Sequence, residues 1–178
     1  TMPFWGMIED VRKKVGDEKA KWMARSRNIT IFPNLQFNDS TSLVLRTFIP
    51  HAPNLTEMKV YSFAPIDEPD DLRTIRVRQH EDFFNSSGMA TPDDTICYSD
   101  CQEGYNAFPD DYLQSFERGM GNLIFGPDEE AKKLGFDPET SLLGTFLDQG
   151  ETSYHGPYRE WARLMRAGHN KDQALAAE

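Results

Sequence analysis

An α+β fold built on an antiparallel sheet is what this sequence predicts, from three observations. Two β-rich runs in the first third are joined by a proline-rich turn. A shorter strand pair precedes them, and helical periodicity follows them. Hairpin strands come first and helices afterwards, without the strand–helix alternation of a parallel sheet.

The elements follow in order. Asp10–Arg25 reads as a helix, with Val11, Val15, Trp22 and Met23 among charged residues and Gly16 interrupting it. Ile29–Phe32 and Leu35–Phe37 are strands around Pro33-Asn34, where an edge position or a bulge is expected. Ser42–Ile49 and Thr56–Phe63 are β-rich, and the turn-prone Pro50-His51-Ala52-Pro53-Asn54 between them predicts an antiparallel hairpin. Asp67 is placed to cap a helix reaching about Phe84, with Leu72, Ile75, Phe83 and Phe84 available for the core. Arg73, Arg76 and Arg78 sit among acids, as on a solvated face. Asn85–Gly88 breaks that helix. Thr91 then reads as an N-cap and Pro92 as the first helical residue, where a missing N–H costs nothing. Residues 106–150 are punctuated by glycine and proline, with short helices such as Asp128–Leu134. A last amphipathic helix, Pro157–Ala167, carries Tyr158, Trp161, Leu164 and Met165 on its apolar side and is expected to end at Gly168. The tail, 169–178, is polar and expected to be mobile.

Composition bounds the function. At 178 residues the chain is one domain or part of one, long enough to bury a sizeable core. A net charge of −10 argues against nucleic-acid or anionic-membrane partners. No apolar run approaches the roughly 20 residues of a membrane span. The opening Thr-Met-Pro-Phe-Trp-Gly-Met-Ile lacks a basic leader and a long apolar core, so a signal peptide is not expected and a cytoplasmic location is. Cys97 and Cys101 are four apart on one predicted helix, which suits free, buried or half-buried thiols rather than a disulfide or a zinc site.

Residues 80–105 carry most information. Asp93 and Asp94 open a helix just after the aromatic pair Phe83-Phe84, and Asp94 occupies the acidic position of a capping box begun by Thr91. A carboxylate fixed there suits a metal ligand, but acidic first turns are common and the residues alone favour an ordinary helix start. The run "RQHEDFFNSSGMATPDD" (78–94), followed by "CQEGY" (101–105), resembles the catalytic region of aromatic-ring-hydroxylating dioxygenase large subunits, most of all the benzoate, toluate and anthranilate branch. "RNITIFPNLQFND" (Arg27–Asp39) resembles that family's pocket-walling strand pair, and "GETSYHGPYREW" (Gly150–Trp161) the segment leading into its last helix.

The resemblance implies a helix-grip catalytic domain of the Bet v1 or START type, incomplete at its N-terminus, occupying 1–168 with 169–178 as a tail. It implies that Asp94 is the carboxylate of a two-histidine, one-carboxylate mononuclear Fe(II) site, with Asp93 pointing elsewhere. The family's two histidines lie upstream at Asp-x2-His-x4-His spacing. Here the histidines are His51, His80, His155 and His169, none at that spacing, and the Rieske [2Fe–2S] motif is absent too. The chain therefore reads as the C-terminal portion of a large subunit, unable alone to assemble the iron site. His80 stands where relatives carry a tyrosine, which implies packing or hydrogen bonding rather than ligation.

By motif position, Phe84, Ala90 and Tyr98 are expected to face iron and ring, with Asn28, Asn38 and Thr41 on the opposite wall. Ala90 replaces a bulky aromatic of many hydrocarbon-oxidising relatives, leaving room for a ring substituent. Arg46 is a candidate cation for a substrate carboxylate, although an outward, solvated arginine is the expected state. The implied whole is the terminal oxygenase of a multicomponent system. Its partners would be an aromatic substrate, O2, a reductase or ferredoxin donor, and other α subunits in a trimer, with a small β subunit in some members. The alternative from another class is a non-catalytic helix-grip pocket for apolar ligands, with Asp94 merely capping its helix.

Overall fold

The computed structural model describes residues 7–40, 42–107, 116–143 and 150–175. The chain divides into two compact units, Thr1–Tyr112 and Leu113–Glu178.

The first unit opens with two short helices, α1 (Ile8–Val15) and α2 (Asp17–Met23). Gly16 separates them with φ +86°, a backbone region that costs glycine little. A four-stranded antiparallel sheet follows in sequential order: β1 (Arg27–Ile31), β2 (Leu35–Asp39), β3 (Leu43–Ala52) and β4 (Leu55–Ser62). The Phe32–Pro33 peptide between β1 and β2 is cis. β3 and β4 run on through most of the expected turn, leaving Pro53-Asn54 as the reversal, with a register shift between Pro50 and Ala52. Arg27 ties β1 to its surroundings: it ion-pairs with the buried Asp39 of β2 and stacks 4.9 Å over the Trp22 ring.

Register assigns the faces. Asn28 pairs with Asn38 and Asn38 with Val44, while Gln36 pairs with Arg46 and Arg46 with Val60. Directly paired residues share a face, so Asn28, Gln36, Asn38, Val44, Arg46, Phe48, Met58 and Val60 lie on one side. Ile29, Phe37, Leu45 and Tyr61 lie on the other.

α3 (Asp70–Phe83) starts three residues after the predicted cap, with Pro69 rather than Asp67 at its N-cap. Two of its arginines are not solvated. Arg76 forms a nearly buried bidentate pair with Glu68, Nε lying 2.9 and 3.0 Å from the two carboxylate oxygens. Arg73 donates to the carbonyls of Pro65 and Ile66, both at 2.9 Å. The loop folds back over the helix and supplies acceptors that periodicity cannot reveal. Arg78 does remain exposed. α4 (Thr91–Ala107) completes the described part of this unit. Cys97 and Cys101 are free but exposed rather than buried, because they stand on a side of α4 that nothing described in this unit covers.

The second unit pairs β5 (Leu123–Phe125) with β6 (Thr140–Leu142), two three-residue strands not predicted. α5 (Glu129–Leu134) lies between them, with Asp128 accepting at 2.7 Å from the Ala131 N–H as its cap. α6 runs from His155 to Leu175, straight through Gly168 and across the predicted tail boundary at 169. At the "GETS" stretch two backbones meet: a Cβ on Gly150 would stand 2.1 Å from the Arg118 carbonyl oxygen. Among the described residues no helix is long and apolar enough to cross a membrane.

Candidate functional site

The C-terminal end of α3 is sealed by the segment that follows it. The amides of Met89 and Ala90 donate to the carbonyls of Asp82 and Phe83, both at 3.0 Å, and the Thr91 hydroxyl donates to the Phe84 carbonyl at 2.8 Å. Three carbonyls that a helix end leaves free are thus satisfied. Gly88 is required in this turn, since a Cβ there would lie 2.6 Å from the Phe83 carbonyl oxygen. Thr91 therefore does not act as the N-cap acceptor. It is buried, begins the helix, and spends its hydroxyl on Phe84, so the expected capping box with Asp94 does not form. The first α4 hydrogen bond runs instead from the Asp94 amide to the Ala90 carbonyl, 3.2 Å.

These bonds tie the start of α4 to the end of α3, seven residues apart at Thr91 and Phe84. Asp94 is half-buried whereas Asp93 is exposed. Among the described residues the Asp94 carboxylate takes part in no ion pair or side-chain hydrogen bond, so its oxygens are uncommitted. Four residues further on, on the same helix face, Tyr98 lines a cavity of about 660 Å³. α4 contributes Thr95, Tyr98, Ser99, Gln102 and Glu103 to it, and the β3–β4 hairpin contributes Phe48, Leu55 and Met58 among others. That volume lies within the range of small-molecule sites, and the lining mixes apolar side chains with Asn54, Thr56, Thr95, Ser99, Gln102 and Glu103.

The other expected wall residues are dispersed. Phe84 is buried, 6 % exposed, edge-on to Phe83 with ring centroids 4.8 Å apart, and it packs rather than lines the cavity. Ala90 is half-buried in the turn. Asn38 is half-buried and accepts from Ser40 at 2.7 Å, while Asn28 is exposed beside it. Thr41 lies outside the described residues.

Arg46 departs from expectation. It is 6 % exposed, its guanidinium lies 4.9 Å over the Phe84 ring, and Nη1 donates to Gln36 Oε1 at 3.0 Å. Sequence reasoning missed this because both faces of β3 are apolar (Val44 and Phe48 on one, Leu43 and Leu45 on the other), so alternation assigns Arg46 no side. His80 is half-buried nearby. Burial holds its imidazole below the ordinary range; the Glu81 charge opposes this, and the Arg46 charge adds to it.

As a metal centre the described residues offer one candidate carboxylate and no complete ligand set. They contain no group of three His, Cys, Asp or Glu side chains placed to hold an ion. Asp94, half-buried and uncommitted, fits the carboxylate of such a set; His80 does not complete it.

The chain is 36% identical over 167 residues to the 2-halobenzoate 1,2-dioxygenase large subunit of Burkholderia cepacia, covering 93% of this chain and 35% of that protein. It is 39% identical to the toluate 1,2-dioxygenase subunit alpha of Pseudomonas putida, covering 99% and 38%. With the anthranilate 1,2-dioxygenase large subunit of Acinetobacter baylyi it shares 34% identity, covering 89% and 33%. The chain thus spans little more than a third of the length of these relatives. The sequence profile of the ring hydroxylating alpha subunit (catalytic domain) family matches residues 7–167, and the chain belongs to that family.

Proposed function

We propose that this chain is the carboxyl-terminal part of the catalytic domain of a terminal oxygenase α subunit. The intact enzyme would add both atoms of O2 in cis to the ring of a benzoate- or anthranilate-like acid, with two electrons from a reductase or ferredoxin and two protons. The carrying observation is Asp94: a half-buried carboxylate without a partner among the described residues, on the helix whose Thr95 and Tyr98 line a cavity of about 660 Å³. Family membership and relatives named for halobenzoate, toluate and anthranilate support the reaction and the substrate class.

Mononuclear iron, when bound, supplies the activation of oxygen, and Asp94 would hold it together with two histidines from outside this chain. The remaining work falls to residues present here. Phe48, Met58 and Tyr98 would give a ring apolar surface to pack on, among the polar side chains of Thr95, Ser99 and Gln102. Ala90, small and half-buried four residues before Asp94, leaves space for a substituent on that ring. The helix-grip architecture, a cytoplasmic location, the α trimer and an accompanying β subunit belong to the same proposal, as does a Rieske cluster in the upstream part.

In the full-length oxygenase, Asp94→Ala is expected to lose mononuclear iron and abolish product while the Rieske spectrum survives. Asp93→Ala should keep both iron and most activity. Iron and turnover retained by Asp94→Ala would overturn the assignment and leave a pocket that binds apolar ligands without that carboxylate.

A further inference from the structure

We propose that Arg46 is the anchor for the carboxylate of the aromatic acid, an inference that rests on the oxygenase reading for its ligand but not for its chemistry. Its guanidinium is buried yet faces no anion: among the described residues no carboxylate pairs with it. Nη1 is satisfied by Gln36, while Nε and Nη2 are buried with no acceptor. A buried cation with unmet donors is costly to keep.

The two unmet donors form one edge of the guanidinium, the edge that receives a carboxylate in the side-on bidentate mode. This protein already uses that edge once: Arg76 presents Nε and Nη2 to Glu68. Arg46 offers the same fork without the acid. His80, whose ring feels the Arg46 charge, cannot supply a negative charge.

Its location suits a ligand of the expected size. Arg46 shares a sheet face with Phe48, two residues along β3 and roughly 7 Å away at strand spacing, and Phe48 lines the cavity. Its guanidinium packs on Phe84, whose carbonyl is tied to the first residue of the Asp94 helix. Arg46 does not itself line that cavity, so a ring bearing one carboxylate reaches the fork only when the side chains between Phe48 and the guanidinium shift.

The test uses the full-length oxygenase with Arg46→Met and Arg46→Lys, benzoate, and benzamide as its uncharged isostere. Calorimetric binding and separate kcat and KM values are measured. Arg46→Met should weaken benzoate binding by on the order of 100-fold, the scale of losing a buried charge pair. Benzamide should change by less than about threefold, and kcat at saturation should hold. Arg46→Lys should recover part of the benzoate affinity, as a point charge without the fork. The ligand-free melting temperature of Arg46→Met should be unchanged or higher, since an unpaired buried cation is being removed.

Equal loss for benzoate and benzamide, an unchanged benzoate affinity, or a lower ligand-free melting temperature would each overturn the anchor. If the wild-type enzyme oxidises benzamide but does not bind benzoate, the anchor fails and the oxygenase reading stands. Should it bind benzoate through Arg46 yet hydroxylate no ring, the oxygenase reading fails and the anchor stands.

Discussion

His80 links the interior of the first unit to pH. Burial of its ring, and after that the opposing charges of Glu81 and Arg46, leave its folded pKa below the ordinary value of about 6.5. The sign follows. As pH falls through about 6.5 the unfolded chain takes up a proton on this residue while the folded chain resists, so the unfolded state binds more protons and stability declines. Above that pH both states carry a neutral ring and the group contributes no slope. Replacing the imidazole by His80→Phe removes this dependence. The melting temperature of the variant relative to wild type should therefore rise as the buffer is taken from pH 7.5 to 5.5. A difference that stays constant across that interval would mean His80 titrates as it does in water. The same residue shows how far a motif reaches: its slot marks an aromatic-like position, whereas the unpartnered buried Nδ1 is visible only once α3 is laid against the sheet.

α3 and the loop before it act as one element because Arg76 and Glu68 join them with side chains 12 % and 6 % exposed. Breaking a buried pair from one side leaves a charge without compensation, a cost of about 3–5 kcal/mol, while replacing both partners costs much less. Glu68→Ala and Arg76→Ala should each destabilise by that order. The double variant should fall well short of their sum, with a coupling above about 1 kcal/mol in a denaturant-based mutant cycle. Additive losses would show that the pair contributes nothing beyond separate packing. Arg73, Arg76 and Arg78 look alike in sequence, and periodicity gives all three a solvated face. They part company because residues 63–69 fold back and bring carbonyls and a carboxylate to two of them. Local signals fared differently. The Gly16 break and the β3–β4 hairpin follow from backbone chemistry carried by the residues themselves, whereas Pro33-Asn34, expected as an edge or a bulge, lies between two strands paired antiparallel, β1 being the edge. Gly168 did not stop α6, because one glycine costs only about 1 kcal/mol in a helix interior and Arg163–Ala167 and Lys171–Leu175 are strong helix formers. β5 and β6, at three residues each, are too short for any period to show. The start of α4 around Thr91–Asp94 was legible in the residues, while the Thr91–Phe84 bond that joins it to the end of α3 was not, since the hydroxyl finds an acceptor seven residues back.

At the scale of the molecule, each unit leaves apolar surface uncovered. The buried hydrophobic residues among those described are Ala20, Val44 and Phe84. In the first unit the sheet face opposite Arg46 exposes Ile29, Ile31, Tyr61 and Phe63, with Phe37 stacked against Phe63 at 5.7 Å. In the second, α6 exposes Tyr158, Trp161, Leu164 and Met165, the residues its amphipathic pattern assigns to an inner side. Exposed apolar side chains gathered on one face suit an interface, and the relatives, of whose length this chain spans little more than a third, carry further polypeptide. Two consequences can be measured. Produced by itself, the 178-residue chain should bind a hydrophobic fluorophore such as ANS strongly and melt over a broad range with a small enthalpy, as fits loose packing. Joined to the upstream part of a full-length subunit, the same residues should lose most of that dye binding and unfold in one sharp transition, because burying the sheet face and the α6 stripe supplies the cooperative term that hydrophobic contact provides. A lone chain that excludes the dye and unfolds in a single steep step, with the per-residue enthalpy of an ordinary domain, would show that these faces need no cover and that the fold stands complete within these residues.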